Sequence, residues 1–247
     1  MKLRPFVITL AGAIGGAAIA VAVILTMAGQ GLLPINDRQM QMYLLQRPEL
    51  AAAMLTRYQQ QEDDKQQAKQ DAALKNKAAF FDPKIAFVTG PADAKHTLVE
   101  FYDYDCPYCR ASLPALKKFY EARKHDTRFA FIEFPIESLH GAGAMFAGRA
   151  SLAARRQPER YLDFHFALMA EEGQMTEDMV FANAAKVGLD VEKLKADLKD
   201  PAIQKALDAS IELARKTGIE GTPTFILNGK LRAGMVDDDT LAEAMKS

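Results

Sequence analysis

Cys106-Pro107-Tyr108-Cys109 contains the only two cysteines of this 247-residue chain. The motif follows the β-branched and aromatic run Thr97-Leu98-Val99-Glu100-Phe101-Tyr102 and precedes residues 111–122, which are typical of a helix. A C-x-x-C between a strand and a helix holds two thiols close enough to form a disulfide, and it places the first thiol at the positive end of the helix dipole. The stretch therefore predicts a redox-active Cys106–Cys109 pair.

A zinc site and a purely structural disulfide are the alternatives for these cysteines. Zinc usually takes four ligands, but the chain has no second C-x-x-C, and His96, His125, His140 and His165 are too scattered for the usual histidine spacing. A disulfide across so short a loop removes little chain entropy. The pattern favours redox chemistry that needs no metal and no organic cofactor. We expect His140, beside Gly141, to be a surface loop histidine, with a position near the site as the alternative.

The composition limits the classes of function. The net charge is −1 and 49% of the residues are hydrophobic, so the chain can form one substantial core. A balanced charge argues against nucleic acid as a partner, because binding phosphates requires a basic surface. The sequence also lacks a glycine-rich phosphate loop.

The amino-terminal part, residues 1–28, reads as a membrane segment. Residues 6–28 carry no charge and follow Lys2 and Arg4. A helix of this length spans a bilayer core of roughly 30 Å, whereas the apolar stretch of a cleaved signal peptide is usually shorter, roughly 7–15 residues. We expect an uncleaved, single-pass anchor in a bacterial inner membrane, with the rest of the chain in the periplasm. A cleaved signal peptide is the alternative.

Residues 29–81 are predicted to form a helical stalk. Pro48 can occupy the first turn of a helix, and Leu50, Met54 and Tyr58 then recur at helical spacing. The following residues, 59–71, are almost entirely polar and cannot build a core. An apolar stripe on an exposed helix favours a homo-oligomer that associates through residues 36–58. A solvated spacer is the alternative.

Residues 82–247 have the pattern of an α/β domain. Predicted strands cover residues 85–88, 97–102 and 128–134, and the helix after Cys106 contains Pro114. Residues 141–216 show only helical patterns and form a predicted insertion. Asn228-Gly229 then marks a hairpin, and a helix over 238–245 closes the chain. Pro223 stands at the first position of a strand, where either a cis or a trans peptide is compatible with the pattern.

This order of elements resembles the thioredoxin superfamily, and within it the DsbA-like branch, in which a helical domain interrupts the thioredoxin fold. The resemblance covers residues 83–246 and is carried by two motifs, residues 101–109 (FYDYDCPYC) and residues 221–225 (GTPTF). Both motifs are most similar to those of the Com1 and ScsC-type proteins, which also carry a helical stalk. The fold class expected is thus α/β, a thioredoxin fold with a helical insertion, preceded by an anchor and a stalk.

The resemblance implies a role for each residue that matches a family position. Cys106 matches the exposed nucleophile and Cys109 the resolving cysteine. Thr222 and Pro223 match the cis-proline loop that faces the thiols and pairs with substrate. Glu100 matches a buried acid that shuttles a proton to the second cysteine, with an ordinary strand residue as the alternative.

The dipeptide between the cysteines departs from the strongest oxidants of the branch. Those carry Pro-His, whereas this chain has Pro107-Tyr108, the dipeptide of glutaredoxins. Tyr108 supplies no positive charge to the Cys106 thiolate, so we expect the pKa of Cys106 to be lowered, but less than in DsbA. A moderate reduction potential suits an isomerase or a reductase as well as an oxidase.

The function expected is that of an exported, membrane-anchored thiol–disulfide interchange protein. Its partners would be exported proteins that contain cysteine and a membrane redox partner that resets the active site. Oxidation is expected of a monomer, and isomerisation or reduction of an oligomer. A cytoplasmic glutaredoxin-like reductant and a tethered, non-enzymatic adaptor or chaperone are the alternatives.

Overall fold

The structure is a computed structural model that describes residues 42–43 and 45–246. The predicted anchor over residues 6–28 and the first part of the predicted stalk lie outside these residues. Within the part of the chain that the structure describes, no helix combines the length and the apolar character that a bilayer crossing requires.

The described residues divide into two compact units between Asp63 and Asp64. Helix α1, Pro48–Lys75, begins with the proline in its first turn, as the sequence predicted. In the first unit, Leu50, Met54 and Tyr58 lie on the surface, with 37%, 63% and 62% of their area exposed. The apolar stripe of the stalk is therefore uncovered in the single chain.

The second unit is built on one five-stranded sheet of order β1-β3-β2-β4-β5. The strands are β1 Phe87–Thr89, β2 His96–Tyr102, β3 Thr127–Glu133, β4 Thr224–Leu227 and β5 Lys230–Ala233. β2 and β3 run parallel and are joined by helix α2, Pro107–Arg123, so the predicted order of strand, helix and strand forms a parallel crossover. The other neighbouring pairs are antiparallel.

The chain between β3 and β4 is helical, as predicted for the insertion. It contains α3 Glu137–Ala154, α4 Pro158–Met169, α5 Glu177–Lys186, α6 Val191–Asp197 and α7 Pro201–Lys216, and α8 Asp238–Ala244 closes the unit. α3 starts at Glu137, four residues before the predicted insertion begins at residue 141. Its first turn is joined to the rest across a kink at Gly141, whose φ of 78° and ψ of −169° are not helical and suit a residue without a Cβ.

The two faces of β2 lie against different parts of the core. Because side chains alternate along a strand, Leu98 and Tyr102 pack with both cysteines and with α2, whereas Val99 and Phe101 join the cluster on the opposite face. That opposite face also receives Phe80 from the 3₁₀ turn Lys77–Phe81, with its ring centroid 6.2 Å from that of Phe101. The alternation places Glu100 on the cysteine side of the sheet.

A buried polar cluster joins the sheet to the insertion. The Tyr102 hydroxyl donates to Glu133 Oε1 at 2.8 Å, and the Tyr104 hydroxyl donates to Ser151 Oγ of α3 at 2.8 Å. Arg155 at the end of α3 forms an ion pair with Glu133. These bonds satisfy polar groups that would otherwise be costly to bury, and they fix the insertion against β2 and β3.

The predicted hairpin forms at Asn228 and Gly229, which have φ values of 50° and 85°. Such positive values are typical of a two-residue hairpin turn. The Asn228 side chain also accepts the Thr97 N–H at 2.9 Å and donates to the Ala244 carbonyl at 2.8 Å. The turn therefore holds β4 beside β2 and brings residues 222–223, just before β4, to the cysteine end of the sheet.

Candidate functional site

Cys106 lies at the N-cap of α2. It ends the turn that follows β2, has φ of −76° and ψ of 117°, and is followed by Pro107 in the first turn of the helix. Its N–H donates to the Asp103 carbonyl at 3.2 Å, and its own carbonyl accepts the Arg110 N–H at 3.2 Å. The side chain is therefore fixed at the end of the helix where free backbone N–H groups favour an anion.

The two thiols are reduced and both are buried, whereas the motif tyrosine is not. Cys106 and Cys109 are 3% and 1% exposed, and Tyr108 is 63% exposed. The expectation of an exposed Cys106 is wrong for this form of the protein. The Thr222 carbonyl lies 3.1 Å from the sulfur, so the loop at residues 222–223 contributes to its burial.

The surroundings of Cys106 stabilise its thiolate. Its pKa falls from 9.0 to about 5, chiefly because the Cys109 thiol donates a hydrogen bond to the sulfur. Burial opposes the shift, and the Thr222 side chain and the N–H groups of Cys109 and Tyr108 add to it. The direction agrees with the sequence prediction. The sources are hydrogen bonds to the charged form, which lower the pKa of an acid.

The Thr222–Pro223 peptide is cis, which confirms the expectation drawn from the family resemblance. The Thr222 carbonyl accepts a hydrogen bond from the Cys106 thiol, with Sγ and O 3.1 Å apart. The Thr222 hydroxyl is buried and has no hydrogen-bond partner among the described residues. It is thus available to the thiolate, in line with its effect on the pKa of Cys106.

Glu100 and Cys109 form a second, proton-retaining part of the site. Glu100 is 1% exposed, and its Oε2 has no hydrogen-bond partner in the described chain. Burial, with the nearby Cys106 charge, raises the pKa of Glu100 from 4.5 to about 8. The pKa of Cys109 is raised well above 9.0, first by burial and then by the Cys106 sulfur and the Glu100 charge. Near neutral pH the site thus holds one thiolate, one thiol and one protonated carboxyl group.

Sequence reasoning missed the acidic turn that precedes the motif. Asp105 accepts the Arg110 guanidinium at 2.9 Å and the Met175 N–H at 2.7 Å. Asp103 is buried and its Oδ2 lies 2.6 Å from His140 Nδ1. His140 is therefore not a surface loop histidine, because the first turn of α3 places it against Asp103. Two acidic residues within an apolar run, directly before the cysteines, were the available signal.

Comparison with known proteins gives three kinds of match. The family model described as thioredoxin matches residues 84–247. A thioredoxin-like oxidoreductase from Silicibacter pomeroyi is 38% identical, with a TM-score of 0.62, over 69% of this chain and 95% of that one. The catalytic domain of Proteus mirabilis ScsC is 28% identical, with a TM-score of 0.61, over 72% and 99%.

Curated relatives match the same part of the chain. Disulfide bond formation protein D of Bacillus subtilis is 28% identical over 64% of this chain and 75% of its own length. The Na(+)/H(+) antiporter NhaA of Herminiimonas arsenicoxydans is 32% identical over 67% of this chain, but the match spans only 26% of that protein. The transport activity named for that protein is therefore not assigned to this chain. Sequence, fold and site together place this chain in the thioredoxin family, among the DsbA-like thiol–disulfide oxidoreductases.

Proposed function

We propose that this chain exchanges disulfides with protein cysteines through Cys106 and Cys109. The observation that carries the proposal is the pairing of an acidic thiol at the start of a helix with a neighbouring thiol of much higher pKa. The first supplies a nucleophile near neutral pH, and it is also a good leaving group. The second keeps its proton until the reaction requires it.

The reaction proceeds through a mixed disulfide. The Cys106 thiolate attacks one sulfur of a substrate disulfide, forms an S–S bond to it and releases the other substrate sulfur as a thiolate. Cys109 then loses its proton and attacks Cys106 Sγ. The second substrate thiolate leaves, the Cys106–Cys109 disulfide forms, and the substrate is reduced by two electrons. The reverse sequence oxidises a substrate dithiol.

Glu100 is the proposed proton acceptor for Cys109. It lies on the cysteine side of β2, it is buried, and the charges of Glu100 and Cys109 influence each other. Formation of a disulfide at Cys106 removes the thiolate charge that helps to raise the pKa of Glu100. Burial still raises the pKa of Glu100, but the carboxylate form becomes more populated at the step in which Cys109 must be deprotonated.

The backbone of Thr222 and Pro223 is the proposed docking strand for substrate. It precedes β4 directly and touches Cys106 Sγ. An extended substrate segment that pairs with this backbone would bring its own sulfur to Cys106. The proposed substrates are exported proteins that contain cysteine, and a membrane redox partner would restore the starting state of the pair.

The proposed location is the periplasmic side of a bacterial inner membrane, with residues 1–28 as the anchor and 29–81 as the stalk of the domain at 82–247. The uncharged segment at residues 6–28 supports this proposal. A reporter enzyme that functions only outside the cytoplasm should be active when it is fused after residue 247. Cytoplasmic activity would instead favour the glutaredoxin-like reductant that Pro107-Tyr108 suggests.

The stalk is proposed to set the direction of exchange through self-association. Met54, Leu55 and Tyr58 are each more than 60% exposed in the single chain, and contact between copies would remove that apolar area from water. An assembly that presents several thiol pairs to one substrate favours repeated exchange, and so isomerisation or reduction. Separate chains favour oxidation.

Substitution of the two cysteines tests the chemistry directly. Cys109→Ala should accumulate a mixed disulfide with a disulfide-containing protein such as insulin, because attack still occurs but resolution does not. Cys106→Ala should form none and should reduce insulin only at the uncatalysed rate. Non-reducing electrophoresis and mass spectrometry distinguish the two. A mixed disulfide at Cys109 in the Cys106→Ala protein would contradict the assignment of roles.

Glu100→Gln should stabilise the reduced protein increasingly as the pH rises from 4.5 to 8. In this window folded Glu100 retains a proton that the unfolded chain releases, so the stability of the wild type falls with pH. We expect a difference of about 4 kcal/mol in unfolding free energy near pH 8. Denaturant titration measures it, with the exposed Glu172→Gln as control. A difference independent of pH would contradict a buried, protonated Glu100.

Met54→Glu should dissociate the oligomer, because it places a charge within the apolar stripe. Gln59→Glu adds the same charge to an exposed, polar part of α1 and should leave assembly intact. Sedimentation velocity of the detergent-solubilised full chain measures both. The dissociated protein should gain activity in oxidising reduced substrates. A monomeric wild type would refute association through the stalk.

A further inference from the structure

Asp103 connects the turn before the cysteines to the helical insertion. It is the residue directly after β2, and its side chain is completely buried. Its Oδ1 accepts the Asp105 N–H at 2.9 Å and its Oδ2 accepts the Ile136 N–H at 2.8 Å. The carboxylate therefore ties the turn to the residue that precedes α3.

The backbone of Asp103 contacts both cysteines. Its carbonyl accepts the Cys106 N–H at 3.2 Å. The Asp103 backbone also lowers the pKa of Cys109 and so opposes the other influences on that thiol. A shift of Asp103 would therefore change the surroundings of Cys106 and Cys109 together.

His140 is the side chain that contacts the Asp103 carboxylate. His140 Nδ1 lies 2.6 Å from Asp103 Oδ2, and the imidazole side chain is 17% exposed. A carboxylate can only accept, so Nδ1 carries the proton of this bond. The His140 N–H donates to the Ile136 carbonyl at 2.9 Å, and its carbonyl accepts the Gln174 amide at 3.3 Å. The backbone of His140 is therefore held on both sides, while its ring contacts Asp103.

We propose that His140 is a positioning residue for the thiol pair. Its Nδ1–H holds the Asp103 carboxylate, and Asp103 holds the turn that fixes the Cys106 sulfur at the start of α2. The inference rests on the proposed function, because it concerns the same thiols. It assigns His140 no contact with substrate and no proton transfer.

The geometry of the imidazole provides a matched pair of variants. Asn places an amide N–H close to the position of Nδ1, whereas Gln extends its amide toward the position of Nε2. His140→Asn should therefore retain the hydrogen bond to Asp103, and His140→Gln and His140→Ala should lose it. His125, which is exposed in the turn after α2, provides the control His125→Ala.

The experiment measures the alkylation rate of reduced Cys106 against pH, and the equilibrium of the pair with glutathione, in the full chain. Loss of the bond should move the midpoint of the Cys106 profile upward and change the thiol–disulfide equilibrium constant by about three- to tenfold, as expected for one hydrogen bond. His140→Asn and His125→Ala should match the wild type. If His140→Ala does not fold, the comparison of Asn with Gln decides.

Identical profiles and equilibrium constants for the Asn and Gln variants would overturn the inference. Failure of the proposed function has a different signature, because the wild type would then leave insulin disulfides intact at every pH. A wild type that reduces insulin, combined with a His140→Gln protein that has unchanged thiol properties, rejects the positioning role alone.

Discussion

The stabilisation of one thiolate at the start of α2 is the interaction on which the site depends. Hydrogen bonds from the Cys109 thiol, the Thr222 side chain and two backbone N–H groups hold the pKa of Cys106 near 5 although the sulfur is buried. These donors belong to different parts of the fold. The helix supplies the N–H groups, the C-x-x-C spacing supplies the second thiol, and the turn before β4 supplies the threonine.

The second thiol and Glu100 complement that thiolate by keeping their protons. Burial raises the pKa of both groups, and β2 brings them together because its residues alternate between two covered faces. The environments of neighbouring ionisable groups thus separate their pKa values, which is how such sites divide the roles of nucleophile, resolving thiol and proton acceptor. Pro107 and Tyr108, the two residues between the cysteines, are both exposed.

Local patterns in the sequence predict most of the fold, the cysteine motif at the start of α2 and the hairpin that follows residues 222–223. β2, α2 and the turn at Asn228-Gly229 follow from residues that are neighbours in the chain. The cis peptide before Pro223 and the burial of Glu100 required the family resemblance, because neither follows from local spacing.

The contacts that sequence reasoning missed join distant residues. Asp103 and His140 are 37 positions apart, and they meet across the turn after β2 and the first turn of α3. The hydrophobic pattern of the sequence likewise does not predict the buried cluster of Tyr102, Tyr104 and Glu133. Its members are polar or charged, and they are buried only through their mutual hydrogen bonds and an ion pair with Arg155.

Titration of Cys106 in the reduced wild-type protein tests the central claim most directly. Thiolate absorbance, compared with that of Cys106→Ala, should show a midpoint near pH 5, with Cys109 remaining protonated well above neutral pH. A midpoint between about 8 and 9, as in an unperturbed cysteine, would contradict the account, because Cys106 would then lack the stabilisation that the helix start, Cys109 and Thr222 provide.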